Sequence, residues 1–269
     1  MTEASGTATI MQEAGSGKVL LMMHGTLMDK TMFDPQIEAL SGEYRVIAYD
    51  HRARTSRWND APYDLADLAA DARDLLDELG IEKCVVAGMS MGGFVAVEFA
   101  LAYPEYLDGF ILINSSARGY TDEERANFDV WFSANDHDGK LSDAFVEWAL
   151  PICFGETTMK TNPELIEHWR QKWSSYDARA VFYETCWPTK EDRLERMSEI
   201  TVPTLLVHGD EDTILPLRTH TLPILDRLPD GHLVVASEAG HTANLETPEI
   251  VNAAIRTFMK RVYPQPVTA

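Results

Sequence analysis

A doubly wound α/β sheet is the fold class this sequence predicts, and three observations carry the prediction. Short apolar runs recur along the chain, segments with helical spacing lie between them, and the alternation is broken once by a long stretch of helical patterning alone. Runs rich in Val, Ile and Leu without polar alternation suit strands covered on both faces, as in a mostly parallel sheet. They lie at 18–24 (KVLLMMH), 44–50 (YRVIAYD), 83–89 (KCVVAGM), 107–114 (LDGFILIN), 202–208 (VPTLLVH) and 232–237 (HLVVAS). Between the second and third, Leu65, Leu68, Ala69, Ala72, Leu75, Leu76 and Leu79 repeat at intervals of three and four, and Gly80 follows. That spacing predicts a helix with one buried face, closed by the glycine. Residues 91–102 and 248–262 read the same way.

The break runs from 118 to 197 and holds four helical stretches, at 122–134, 141–150, 163–173 and 177–187. Five of the six tryptophans fall there (Trp131, Trp148, Trp169, Trp173, Trp187), with Phe128, Phe132, Phe145, Phe154, Phe182 and Tyr183. An aromatic insertion after a strand predicts a cap over the C-terminal edge of the sheet, although such rings also serve simply to hold a helical subdomain together. The chain therefore divides into a core over 1–117 and 198–269 and a helical cap over 118–197, acting as one functional unit.

Composition narrows the function class. The 269 residues carry 43 acidic and 23 basic side chains, a net charge of −20, with 45% apolar and 25% charged residues. Acidity of that order argues against wrapping nucleic acid or coating an anionic membrane. The longest apolar stretches, such as 19–23 and 110–113, are far too short to span a bilayer. Residues 1–6 lack the basic and apolar regions of an export signal, and Cys84, Cys153 and Cys186 lack zinc or redox spacing. A cytoplasmic location follows as the expectation. The expected partner is a small-molecule substrate, with no nucleic acid and no membrane; the oligomeric state, a homodimer included, stays open.

Chemistry concentrates at strand ends. Gly88-Met89-Ser90-Met91-Gly92 has the form G-x-S-x-G between an apolar run and a helical pattern. A serine on so sharp a strand-to-helix turn has its hydroxyl forced outward, and the glycines let strand and helix approach. The helix N-terminus below supplies free N–H groups where an oxyanion would form. A serine hydroxyl needs a base, and the base an orienting carboxylate. Downstream, the run at 202–208 leads into Gly209-Asp210-Glu211-Asp212, and the run at 232–237 into Glu238-Ala239-Gly240-His241. Serine, acid and histidine thus follow in order, each at a strand's C-terminal edge, and face one crevice.

These residues, with His24-Gly25, resemble the α/β-hydrolase superfamily over nearly the whole chain, and the cap matches that fold's helical insertion after strand six. The run at Asp34-Pro35-Gln36 and the Cys186-Trp187 region are similar to small serine esterases and 3-oxoadipate enol-lactonase-like hydrolases. The resemblance implies Ser90 as nucleophile, His241 as general base and then acid, and Asp212 as its orienting acid, with Asp210 the runner-up. It implies an oxyanion hole of the Thr26 and Met91 N–H groups. One loop departs from the family: its usual Asp-x-Arg-Gly-x-Gly reads Asp50-His51-Arg52-Ala53-Arg54-Thr55, and the loss of both glycines puts its backbone path in doubt.

Blander readings stand beside these. His24 is read as a structural residue behind the oxyanion loop, and His208 as the end of a strand. Asp210, Glu211 and Asp212 lack the further ligands of a hard-metal site, so neither metal nor cofactor is expected. Gly15-Ser16-Gly17-Lys18 fails the phosphate-loop pattern and reads as a hairpin turn. Related dehalogenases and epoxide hydrolases carry Asp where Ser90 stands, so serine points to acyl transfer. The expected function is hydrolysis of a carboxylic ester or lactone of a small apolar or aromatic substrate through an acyl-enzyme. A dicarboxylate enol-lactone would need a cation, for which Arg118 is the candidate. Carbon–carbon bond hydrolases, cofactor-free perhydrolases and hydrolase-like ligand receptors remain alternatives.

Overall fold

The structure, a computed structural model, describes residues 11–55 and 61–264. Residues 1–6, read above for an export signal, lie outside the described residues. Its frame is a seven-stranded sheet of β1 (Met11–Ala14), β2 (Val19–Met23), β3 (Arg45–Tyr49), β4 (Cys84–Met89), β5 (Leu107–Ile113), β6 (Thr204–Gly209) and β7 (Gly231–Ala236). The order is β1-β3-β2-β4-β5-β6-β7; β1 is antiparallel to β3 and the other neighbours are parallel. The six apolar runs are β2 to β7, and β2, β4 and β6 are buried at every position, as strands covered on both faces must be.

The turn at 15–18 differs from expectation. Gly15 and Gly17 do reverse the chain, with φ of 83° and 91°, but β1 and β2 are not partners. β1 lies on the far side of β3, where Met11 faces Tyr49 and Ala14 faces Val46. Turn residues fix a reversal; they do not choose the neighbouring strand.

Helices cover both faces: α1 (Asp34–Leu40), α2 (Leu65–Glu78), α3 (Met91–Ala102), and later α9 (Leu217–Leu225), α10 (Ala243–Glu246) and α11 (Pro248–Val262). Alternate strand residues divide between two cores. Leu21, Val86 and Leu112 pack with α2 and α3, while Leu20, Val85 and Ile111 pack with residues of α1 and α11. Helix α2 opens on a capping box between Asp64 and Asp67 and ends at Gly80, whose φ is 64°.

Between β5 and β6 the chain forms α4 (Asp122–Ser133), α5 (Asp143–Cys153), α6 (Glu156–Thr161), α7 (Pro163–Ser174) and α8 (Ala178–Glu184). The six-residue α6 is too short to show a period and was not expected. Helix α8 stops at Glu184 rather than reaching Trp187, because Pro188 disfavours helical backbone in the residue before it. The tryptophans split between two jobs. Trp169 and Trp173 are fully buried, with Trp173 near Phe154, and hold the cap together; Trp131, Trp148 and Trp187 line a cavity. Among the described residues no helix is long and apolar enough to cross a membrane.

Candidate active site

Ser90 is the single residue between β4 and α3, held at φ 50° and ψ −118°. A side chain in that region carries strain of about 1–3 kcal/mol and persists only where its surroundings fix it. Here the Ser90 N–H donates to the Ile113 carbonyl (3.0 Å), and the Ser90 carbonyl accepts from Gly93 N (2.8 Å), Phe94 N (3.1 Å) and Ser115 Oγ (2.8 Å). A Cβ at Gly88 would strike the Gly92 carbonyl, one at Gly92 the Met23 carbonyl, and one at Gly93 the Ser115 side chain. The elbow therefore needs a third glycine, Gly93, beyond the two of the motif.

The predicted acid and base meet this serine. His241 Nε2 lies 2.8 Å from Ser90 Oγ, and Nδ1 lies 2.9 Å from Asp212 Oδ2. A carboxylate can only accept, so Nδ1–H donates to it, and Nε2 of the neutral ring is left to accept from the serine hydroxyl. Every Asp212 lone-pair direction is occupied. Oδ2 also accepts from Asn114 Nδ2 (2.8 Å), and Oδ1 accepts from the Ile214 and Leu215 N–H groups at 2.9 and 3.0 Å. Burial pushes this carboxyl up, but His241, His208 and Asn114 outweigh it and bring it down to about 2. Asp210 is exposed, and Glu211 turns to the Thr157 hydroxyl and N–H (2.9 Å to the N–H), so the three neighbouring carboxylates diverge.

The loop after β2 lies against the elbow: a Cβ on Gly25 would stand 3.2 Å from Ser90 Cβ. Met28 N–H donates to the Gly25 carbonyl (3.2 Å) and Leu27 N–H to Glu184 Oε2 (3.1 Å), so both neighbours are tied while neither bond uses the Thr26 N–H. Met91 is the first residue of α3, where an N–H has no helical acceptor. His24 sits behind this loop. Its Nε2 accepts the His51 N–H (3.0 Å), so its proton is on Nδ1, donated to the Gly25 carbonyl (2.8 Å). Burial lowers its pKa to about 3, which keeps it neutral and structural. His208 likewise is buried at the end of β6, with Nδ1 2.8 Å from Thr221 Oγ1. The loop that lacks the family's glycines needs none: Arg52–Arg54 is a 3-10 turn, and no residue of 51–55 has positive φ.

Strain gathers around this crevice. The positive-φ non-glycine residues among those described are Leu27, Ser90, Asn114 and Glu238, following β2, β4, β5 and β7 at their C-terminal ends. Asn114 was missed in the sequence, although a polar residue directly after an apolar run was the available signal. Ser90 and His241 open on a cavity of about 70 Å³ walled by Thr26, Leu27, Phe94, Tyr120, Phe128, Trp131, Phe132, Trp148, Trp187 and Leu215. Arg118, the candidate cation, does not line it. Its guanidinium is held by Glu124 (2.5 and 3.0 Å), the Gly119 carbonyl and His220 Nε2.

A doubly wound sheet with a strained serine elbow and a helical insertion above it defines a class of fold, and comparison with known proteins places the chain within it. The model of the alpha/beta hydrolase fold matches residues 18–248, and the chain belongs to that family of hydrolases. An esterase from Thermogutta terrifontis, whose structure was determined with malate bound, is 30% identical, with a TM-score of 0.89 over 95% of this chain and 94% of that one. RutD of Azorhizobium caulinodans, provisionally named a carbamate hydrolase, is 26% identical over 264 residues, spanning 91% of this chain and 92% of that protein. The enol-lactonase from Burkholderia xenovorans LB400 is 22% identical, with a TM-score of 0.84 over 94% and 96% of the two chains, a likeness of fold.

Proposed function

We propose that the protein is a serine hydrolase that cleaves a carboxylic ester or lactone of a small, uncharged substrate through an acyl-enzyme. The observation that carries this is the Asp212–His241–Ser90 relay, at 2.9 and 2.8 Å, opening on an apolar cavity. Ser90 Oγ attacks the carbonyl carbon as His241 Nε2 takes its proton, while Asp212 stabilises the imidazolium that forms. The Thr26 and Met91 N–H groups hold the developing oxyanion, and their fixed backbone dipoles need no reorganisation as charge builds. When the tetrahedral intermediate collapses, the C–O bond breaks and His241 gives its proton to the leaving alkoxide. Water then attacks the acyl-enzyme by the same route, releasing the acid and restoring Ser90.

The walls choose the substrate. Aromatic rings and aliphatic side chains surround the serine, no Lys or Arg among the described residues lines the cavity directly, and Arg118 is already neutralised by Glu124; both weigh against a dicarboxylate lactone. A cavity of about 70 Å³ is smaller than the dry space of about 150 Å³ that takes a benzene ring, which favours a short acyl group over a long chain. The 30% identity to an esterase supports ester chemistry. The free thiols of Cys84, Cys153 and Cys186 agree with a cytoplasmic setting.

The test is steady-state turnover of p-nitrophenyl acetate, butyrate and octanoate by the wild type and Ser90→Ala. The expected result is multiple turnover that weakens as the acyl chain lengthens, and a fall of about 10⁴-fold or more in the variant. A variant as fast as wild type, or a single acylation without release of the acid, overturns the reading.

A further inference from the structure

Resting on the serine-hydrolase reading, we propose that the buried Arg54–Glu184 pair is a positioning device for the oxyanion loop, operated from the cap. Glu184 ends α8, and Arg54 ends the 3-10 turn Arg52–Arg54 after β3. Their side chains are 0% and 6% exposed and meet at 2.7 Å. Each also grips the loop between β2 and α1. Glu184 Oε2 accepts the Leu27 N–H (3.1 Å), and Arg54 Nε donates to the Met28 carbonyl (3.2 Å). Three residues beyond Glu184, Trp187 Nε1 donates to Thr26 Oγ1 (2.9 Å). Three consecutive loop residues are thus held by side chains remote in sequence, two of them from the cap.

The loop has reason to be held. Leu27 is left-handed, with φ 64°, a conformation that costs a branched side chain energy and that an unsupported loop would relax. Relaxation at Leu27 turns the Thr26–Leu27 peptide plane and, through the Thr26 Cα the two share, shifts the next plane, which carries the Thr26 N–H, one of the two donors aimed at the oxyanion. A hydrophobic pair of similar volume would fill the Arg54–Glu184 space at little cost in stability, because two buried charges gain little over their desolvation. The pair is therefore a poor device for stability and a good one for orientation, because Glu184 Oε2 gives the buried Leu27 N–H an acceptor that a hydrophobic pair would deny it. Arg54 also stacks on the Tyr176 ring at 3.9 Å, which fixes the guanidinium from a second side.

The experiment compares two double variants, Arg54→Met/Glu184→Gln and Arg54→Met/Glu184→Leu. Both remove the charges; only the first keeps an acceptor for the Leu27 N–H. With p-nitrophenyl acetate, the Gln variant, which loses the Arg54 grip on the Met28 carbonyl but keeps the acceptor, should lose about 3- to 10-fold in kcat. The Leu variant should lose about 10- to 100-fold in kcat with KM within about twofold. Affinity for a trifluoromethyl ketone, whose hemiketal oxyanion occupies the hole, should fall by the same factor as kcat. Equal kcat in the two variants at matched Tm, or a loss confined to KM, overturns the proposal alone. A Ser90→Ala control that still hydrolyses the ester overturns the underlying reading and the proposal with it. Should the Leu variant not fold, Thr26→Val decides: it keeps the side-chain volume and the backbone N–H and removes only the Oγ1 that accepts from Trp187 Nε1–H. A fall of about 3- to 10-fold in kcat with KM nearly unchanged supports the device, and an unchanged kcat overturns it.

Discussion

The sheet's C-terminal edge and the cap both touch the bound substrate in this reading, but they are built by different physics. At the edge, positions follow from backbone constraint: a left-handed serine, glycines that admit no Cβ, and carboxylate and imidazole on the loops leaving β6 and β7. In the cap, positions follow from side-chain packing, with Trp131 and Trp148 in edge contact at 4.6 Å and Phe128 and Trp187 at 4.7 Å. Constraint of the first kind tolerates little change, because a displaced nucleophile loses its base. Packing of the second kind can be reshaped ring by ring. The edge should therefore decide whether the reaction occurs, and the cap which substrate undergoes it.

The sharpest way to break this division is Asp212→Asn. The asparagine must present its NH₂ either to the Ile214 and Leu215 N–H groups or to His241 and Asn114, all of them donors. With the NH₂ toward His241 the imidazole takes the tautomer that cannot accept the serine proton; with it toward Ile214 and Leu215 two buried N–H groups lose their acceptor, and in neither orientation can the neutral amide stabilise the imidazolium. We expect kcat to fall about 10⁴-fold with little change in KM. Asp210→Asn, at an exposed side chain, should leave kcat within about twofold. Comparable losses in the two variants would mean that the acid had been misassigned.

How much could be read beforehand follows the same line. The G-x-S-x-G elbow, the order of acid and histidine, and six of the strands were legible because each is a local pattern: apolar runs for strands, glycines for a tight turn, polar residues directly after. What was missed is held together across long separations. Glu184 and Leu27 lie 157 residues apart, Trp187 and Thr26 lie 161 apart, and no local spacing announces either contact. The strand β1 escaped for a related reason, since its partner is β3 and not the strand next to it in sequence. Arg118 looked available because its sequence context is silent on Glu124, six residues further on in the first turn of α4, which neutralises it.

A milder change sharpens the cap side of the comparison. Trp148 stands on α5 among the rings that close the cavity, in contact with Trp131 and Phe145. Trp148→Ala removes wall without touching the relay, so activity should be redistributed rather than lost. We expect kcat/KM for the acetyl ester to fall by less than about tenfold and that for the octanoyl ester to rise, moving the preference by about 10- to 100-fold. A uniform loss across chain lengths would show that the cap supports the relay itself.

The smallest effect concerns the seam between the two regions. His220, on α9 of the core, is buried; its Nε2 accepts from Arg118 Nη2 (3.2 Å), which leaves Nδ1–H to donate to Ser116 Oγ (3.0 Å). Arg118 in turn holds Glu124 on α4, so the imidazole bonds a cap residue only while it is neutral. Burial, with Arg118 second, lowers its pKa from 6.5 to about 4. The unfolded chain therefore binds the extra proton between pH 6.5 and about 4, and the folded protein loses stability as pH falls through that window. Each pH unit within it is worth at most about 1.4 kcal/mol from this one group. His220→Gln offers an amide oxygen to Arg118 and an amide N–H to Ser116 without titrating. The urea-unfolding free energy of the variant should thus fall less than that of wild type between pH 7 and 5, by about 1–2 kcal/mol. Identical pH slopes would mean that the seam opens before its histidine protonates, and that cap and core are less tightly joined there than the Ser116–His220–Arg118–Glu124 chain requires.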